Sequence, residues 1–209
     1  MGWTAGHFTA VLVMWIVMMA VMMLPSAYPM ILAFATINRR RRERAAPWVA
    51  SGVFILGYLL AWTAFSLVAT VAHWGLERAG LVNAEMESAS ATFSGILFII
   101  AGIYQWTPLK DACLTRCRST EGFILSEWRD GALGAVVMGL RHGQFCIGCC
   151  AGLMLLLFAV AMMDWRWVLA LSLLVAAEKL LPYPARWRGG IAVVLILAGT
   201  AMLVAPHIA

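Results

Sequence analysis

Five cysteines are the residues best suited to chemistry in this chain of 209 residues. They occur in two short segments, with Cys113 and Cys117 in the first and Cys146, Cys149 and Cys150 in the second. A separation of four residues places the two sulfurs of the first segment on one face of a helix. Cys146 and Cys149 are three residues apart and also share a helical face. The two segments therefore predict two rows of soft ligands.

A histidine extends the second row. His142 lies four residues before Cys146, so the spacing adds an imidazole to the same helical face. Thiolate and imidazole ligands select Cu(I), Zn(II) or iron–sulfur centres over hard cations. The cysteine spacings differ from those of a zinc ribbon and of a ferredoxin-type cluster. Cu(I) therefore fits this donor set best, with Zn(II) as the alternative.

The same cysteines also have a purely structural interpretation, because buried cysteine is a small apolar residue that packs well. Gly148, beside Cys149, is equally consistent with close packing between helices. Four cysteines and a histidine in register favour metal or thiol chemistry over packing alone. The predicted metal ligands are Cys113, Cys117, His142, Cys146, Cys149 and Cys150.

Methionines in the first apolar segment are candidate accessory ligands. Met18 and Met22 continue a row that begins at Met14 and repeats every four residues. Thioethers bind Cu(I), so such a row could pass the ion along a helix. Most methionine rows only fill apolar gaps. Pro25 and Pro29 are expected to kink the same helix and to make its backbone part of a site wall.

Glu178 is a third candidate accessory ligand. It precedes Lys179 at the edge of an apolar segment, where an ionisable side chain is costly unless it is paired or functional. It could bind the metal, accept protons, or form an ion pair with Lys110 or Arg141. An ion pair at a helix end is the simplest of these interpretations.

The composition indicates which elements position these residues. The chain is 63% hydrophobic and only 12% charged, and its mean hydropathy is +0.88. A soluble domain carries about 25% charged residues, so this composition excludes a soluble enzyme, a disordered chain and a secreted disulfide scaffold. We expect one all-α integral membrane domain over residues 1–209.

Segments without Asp, Glu, Lys or Arg predict about six transmembrane helices, because a bilayer core takes roughly 20 apolar residues. The spans are expected at about 8–37, 47–73, 88–108, 143–163, 165–181 and 189–207. The fifth span requires that Arg166 and the Glu178–Lys179 pair lie at the two interfaces. An interfacial or re-entrant helix is predicted at about 122–140, before the fourth span.

The basic residues predict the orientation, because Lys and Arg are retained on the cytoplasmic side. Connections one, three and five together hold thirteen of the 15 basic residues, and Arg78 and Arg166 are on the other side. Both termini are therefore expected on the periplasmic side of a bacterial inner membrane. The cysteines then lie at the cytoplasmic interface, where structural disulfides are not expected. Charge distributed in this way indicates contact with lipid and no nucleic-acid partner.

Four motifs resemble a known family. They are Met22–Ser26, Tyr104–Arg118, His142–Cys150 and Glu178–Pro182. With these motifs in order, the chain resembles the DUF2182 family of bacterial predicted metal-binding integral membrane proteins, whose members are often labelled copper chaperones. The resemblance implies metal binding at the cysteines and the histidine named above, and it includes the Glu178–Lys179 pair without explaining it. Ala151 departs from the family pattern, in which Trp is common.

Three functions are compatible with these features. The first is a Cu(I)-binding membrane protein that handles copper or delivers it to an acceptor protein. The second is a structural or assembly subunit of a larger membrane complex, such as a copper-dependent oxidase or monooxygenase. The third is a membrane thiol oxidoreductase, prompted by the vicinal pair Cys149–Cys150. The chain has no Walker-type loop for primary pumping, and enzymatic activity is not expected.

Overall fold

The computed structural model describes residues 3–83, 88, 90–160, 164–181 and 184–204. This part of the chain forms eight α-helices and one 3-10 turn at Leu156–Phe158. The helices are α1 (Ala5–Glu43), α2 (Ser51–Arg78), α3 (Ala91–Tyr104), α4 (Pro108–Arg118), α5 (Thr120–Glu127), α6 (Gly131–Leu155), α7 (Trp165–Leu180) and α8 (Pro184–Val204). The predicted all-α class is therefore confirmed over the described ranges. The predicted ends of two spans, at 161–163 and 205–207, lie outside them.

Four of these helices are long and apolar enough to cross a membrane, namely α1, α2, α6 with its 3-10 extension, and α8. Helices α3 and α4 pass the same test only as a pair, which is bent by 65°. Helix α7 has 16 residues and is therefore about 24 Å long, which is less than a bilayer core of about 30 Å. By length and composition the described residues supply four spans, or five with the bent pair, whereas the sequence predicted six.

The segment predicted as one interfacial helix, at about 122–140, is divided between two helices. Helix α5 ends at Glu127, and α6 begins at Gly131, whose φ of 81° is strained for any other residue. Asp130 holds the turn, because its Oδ1 accepts hydrogen bonds from Arg41 (2.7 Å) and from Trp128 Nε1 (3.0 Å). Residues 131–142 continue directly into the second cysteine segment, so this helix begins well before residue 143.

Glycines allow residues 131–142 of α6 to pack closely against α2. A Cβ at Gly139 would lie 2.1 Å from the carbonyl oxygen of Phe54 in α2, and one at Gly57 would lie 2.1 Å from that of Val136 in α6. The two backbones approach so closely that only glycine fits at these positions. This contact also fixes the rotation of α6, so that its cysteines face the interior.

Helix α1 continues without interruption through its two prolines. The carbonyl of Met23 accepts a hydrogen bond from Tyr58 Oη in α2 (3.2 Å), and that of Met22 accepts one from Ser172 Oγ in α7 (3.2 Å). Side chains of the neighbouring helices α2 and α7 thus hydrogen-bond to the backbone of α1 just before Pro25. This part of α1 forms one wall of the interior that contains the cysteines.

Candidate metal site

Cys146 lies at the centre of a polar cluster in an otherwise apolar interior. Its side chain is fully buried, at 0% exposure. Its sulfur lies 2.9 Å from Nζ of Lys179 in α7 and 3.1 Å from Oη of Tyr58 in α2. Three helices therefore converge on one sulfur atom.

Lys179 links this sulfur to α1. Its Nζ donates a second hydrogen bond to Oγ of Ser26 (2.8 Å), which in turn donates to the carbonyl oxygen of Met23 (2.9 Å). The lysine is only 7% exposed. No salt bridge within the described residues includes it. A buried ammonium is therefore held by a hydroxyl and a sulfur.

Three other cysteines surround Cys146. Cys117, in α4, is buried in the same cluster as Cys146 and Cys149 of α6. Cys149 Sγ donates to the carbonyl oxygen of Cys146 (3.1 Å), and Cys150 Sγ donates to the same oxygen. All of these cysteines are buried and free of disulfides. The structure thus brings together the two cysteine rows.

Cys113 lies at the edge of the cluster. It is half-buried, and its sulfur packs against Gly148, where an added Cβ would lie 2.5 Å away. Cys113 therefore reaches α6 on a different face from Cys117, and Gly148 provides the space for it.

His142 lies next to the cluster among aromatic rings. Its ring centroid is 5.7 Å from that of Tyr58, 6.1 Å from that of Phe54 and 5.4 Å from that of Phe123. The side chain is buried, and its Nδ1 has no hydrogen-bond partner among the residues that the structure describes. The imidazole is thus close to the sulfurs along the helix but contacts carbon surfaces.

Glu178 forms an ion pair with Lys110. Its Oε2 lies 2.7 Å from the Lys110 Nζ, and the two side chains are 3% and 0% exposed. Arg118, also in α4, donates to the carbonyl oxygens of Glu178 (2.6 Å) and Leu181 (2.7 Å). Among the roles considered from the sequence, the structure shows the pairing with Lys110. The carboxylate is engaged away from the sulfurs.

The arginines closest in sequence to the cysteines have other partners. Arg141 pairs with Glu127 (2.8 Å), and the guanidinium of Arg116 lies 5.4 Å from the ring centroid of Phe145. The cation that reaches the thiols is Lys179. Because Lys179 follows Cys146 by 33 residues, only the folded chain brings them together.

Methionines border the cluster on the side of α1. Met22 is buried and Met18 is partly buried, and both belong to the apolar core that contains Cys146. Met19 and Met23 are fully buried in the same core. The predicted methionine rows therefore line the interior next to the cysteines, where they also serve as packing.

The cluster lies near the middle of α6. Cys146 is fifteen residues after Gly131 and twelve before Phe158, which corresponds to about 22 Å and about 18 Å of helix. The sequence placed these cysteines at the start of a span and hence at an interface. Because α6 begins earlier, the structure places them deeper along the helix.

A family profile described as PpoB2, copper chaperone, matches residues 12–202. The match covers almost the entire chain. The chain belongs to this copper chaperone family. This membership confirms the general relationship to copper chaperones that the motifs implied. No curated protein and no solved structure matches the chain.

Copper chaperone chemistry can be compared with the donors present. No group of three or more His, Cys, Asp or Glu side chains in the described part of the chain is arranged to hold a metal ion. Cys117 of α4 instead lies in one buried cluster with Cys146 and Cys149 of α6, so thiols of two helices are near one another. A structural zinc site needs four ligands, whereas Cu(I) is a soft ion that accepts two sulfurs. The thiol pairs therefore fit Cu(I) as the cargo of a copper chaperone.

The sequence did not identify two residues of the polar cluster around Cys146. Tyr58 lies inside a long apolar segment without a charged neighbour, and Lys179 was interpreted only as a partner in a helix-end ion pair. One signal was available for the lysine. Adjacent residues of an α-helix point about 100° apart, so Glu178 and Lys179 had to face different neighbours.

Proposed function

We propose that this chain is an integral membrane copper chaperone that binds Cu(I) through two thiols drawn from Cys117, Cys146 and Cys149, while the third remains a neutral thiol. The observation that carries the proposal is that Cys117 of α4 and the buried Cys146 and Cys149 of α6 belong to one cluster in the interior. Thiols from two helices supply a soft, preorganised pair of ligands for a monovalent ion. Membership of the copper chaperone family supports the same cargo.

The remaining candidate ligands have graded roles in this proposal. Cys150 and Cys113 lie directly beside the three central thiols, and His142 lies one helical turn before Cys146. We assign these three residues to the loading and release of copper, when the ion exchanges one ligand for another. Glu178 is assigned a structural role, because Lys110 already neutralises its carboxylate. Met18 and Met22 are assigned to the wall of the site.

The membrane location rests on the long apolar helices, which expose large aliphatic side chains along their outer faces. Lipid is the environment in which such faces are stable. We place the basic connection at Arg39–Arg44 in the cytoplasm of a bacterial inner membrane, with both termini on the opposite side. The acceptor of the copper is proposed to be a membrane or membrane-associated protein.

The residues of the chain determine how copper is held and released. Burial excludes water from the sulfurs, which suppresses oxidation and loss of Cu(I) to solvent. An acceptor with its own thiolates can replace these ligands one at a time, so the ion never has to pass through water.

A thiol oxidoreductase is a weaker alternative. All five cysteines are free and lie in one region, around the contact between α4 and α6. A relay of electrons across a membrane needs a cysteine pair near each side. The observed gathering of thiols at a single place favours metal binding.

Copper analysis of the purified chain tests the proposal. The full chain, purified in detergent without oxygen and loaded with Cu(I), is compared with Cys146→Ser/Cys149→Ser. We expect about one copper per wild-type chain and at least about a tenfold weaker affinity in the double variant. Thr70→Ser, a buried change in α2 outside the cluster, serves as the control. Equal, low copper in the wild type and the double variant would overturn the proposal.

A further inference from the structure

Lys179 is an unusual member of the sulfur cluster, because its ammonium group lies within a site that is proposed to bind a metal cation. Its Nζ lies 2.9 Å from Cys146 Sγ and 2.8 Å from Ser26 Oγ. We propose that Lys179 is the specificity-determining residue that makes this site select a monovalent over a divalent metal ion. This inference rests on the proposed function.

The charge of Lys179 is not neutralised by a carboxylate. Its neighbour Glu178 is the nearest acidic residue along the chain, and that carboxylate is paired with Lys110 at 2.7 Å. A buried charge is strongly destabilising unless it has a partner. Within the described residues, the groups that face the ammonium are the hydroxyl of Ser26 and the sulfur cluster around Cys146. The lysine and the thiols therefore form one electrostatic unit.

The charge count of this unit favours one class of metal ion. Two metal-binding thiolates, one ammonium and one monovalent ion sum to zero. A divalent ion in the same place leaves one uncompensated positive charge in a medium of low dielectric constant. Without the ammonium, the balance reverses. Two thiolates then neutralise a divalent ion, whereas a monovalent ion leaves the site with one excess negative charge. The lysine thus determines which ion gives a neutral site.

The lysine is fixed in position, so its charge acts on every ion that enters. It occupies the last turn of α7, which Arg118 ties to α4 through the carbonyls of Glu178 and Leu181. The residue is only 7% exposed, so the surrounding helices restrict its movement. Ser26 holds it from the side of α1.

The test compares two metals on one protein. Affinities for Cu(I) and Zn(II) are measured separately by competition with a chromophoric chelator, without oxygen, for the wild type and for Lys179→Gln in detergent. Glutamine is neutral and can still donate a hydrogen bond to Ser26. We expect the ratio of Cu(I) to Zn(II) affinity to fall by at least about tenfold in Lys179→Gln. Lys179→Arg retains the charge and is expected to keep the wild-type order of preference.

The matched control removes a neighbouring buried ammonium that does not contact sulfur. In Lys110→Gln/Glu178→Gln both charges of the ion pair are lost together, and the ratio is expected to stay within about threefold of the wild type. An unchanged ratio in a folded Lys179→Gln, or an equal fall in the control, would refute the role of Lys179. Failure of the wild type to bind copper would instead overturn the proposed function. If Lys179→Gln does not fold, loss of the Cu(I) preference in Lys179→Arg refutes the inference.

Discussion

Nζ of Lys179 lies 2.9 Å from Sγ of Cys146, although Lys179 follows Cys146 by 33 residues in the chain. The preceding residue, Glu178, reaches Lys110 in α4 at 2.7 Å. The last turn of α7 therefore carries two side chains of opposite charge that point in different directions. Lys179 faces the thiols, and Glu178 faces Lys110. This arrangement joins α1, α4, α6 and α7 around the cysteines.

The position of each cysteine predicts how much copper binding depends on it. Cys117→Ser removes the α4 thiol of the buried cluster that also contains Cys146 and Cys149, so we expect a Cu(I) affinity at least about tenfold weaker. Cys113→Ser is the matched change one turn earlier, at a half-buried sulfur that packs on Gly148. Its effect is expected to be about threefold or less, measured by chelator competition. A larger loss in Cys113→Ser than in Cys117→Ser would contradict the assignment of the central ligands.

The buried ion pair predicts a non-additive effect on stability. Lys110→Met leaves the Glu178 carboxylate unpaired, and Glu178→Leu leaves the Lys110 ammonium unpaired, so each is expected to cost about 3–5 kcal/mol. The double variant removes both charges and is expected to recover most of that loss, because a buried pair offsets little more than its own desolvation. Unfolding in detergent, analysed as a double-mutant cycle, measures the coupling. Additive losses would show that the two side chains act independently.

The contact between α2 and α6 predicts that one glycine cannot be replaced. Gly57→Ala places a Cβ 2.1 Å from the carbonyl oxygen of Val136 and is expected to destabilise the chain by about 1–3 kcal/mol. Gly75→Ala, in the same helix, has no atom within 4 Å of the added Cβ and is expected to cause no loss. Thermal unfolding of the two variants provides the comparison. If they unfold at the same temperature, the close approach of α2 and α6 is not present in the protein.

The distribution of basic residues predicts the orientation in the membrane. Alkaline phosphatase, which is active only in the periplasm, is inserted after Arg44 or after Leu81 in intact bacterial cells. We expect low activity for the fusion after Arg44, next to the basic connection, and high activity for the fusion after Leu81. A cytoplasmic fluorescent reporter at the same two positions should give the opposite pattern. High phosphatase activity after Arg44 would reverse the proposed orientation.

Much of the architecture followed from the sequence. Long apolar segments with few charges predict helices, because an apolar environment forces the backbone to satisfy its hydrogen bonds within each segment. The i, i+3 and i, i+4 spacings correctly predicted that Cys146 and Cys149 share the inner face of a helix. These are local properties that depend only on composition and helical periodicity.

The start of α6 could not be read from the same pattern. Charge counting placed the beginning of a span at residue 143, after Arg141. In the structure the helix begins at Gly131. Gly139, within its first part, packs directly against the carbonyl oxygen of Phe54 in α2. Helix packing, which has no local signature beyond small residues, decided this boundary and with it the depth of the cysteines.

The composition of the cluster was likewise decided only by the tertiary structure. The sequence determined that the chain carries soft ligands in two helical rows and an ionisable pair at a helix end. It could not determine that Lys179 and Tyr58 meet Cys146 while Lys110 takes Glu178, because each contact joins helices distant along the chain. The physical reason is that a buried charge takes whichever partner the packing brings within reach, and packing is a property of the whole bundle.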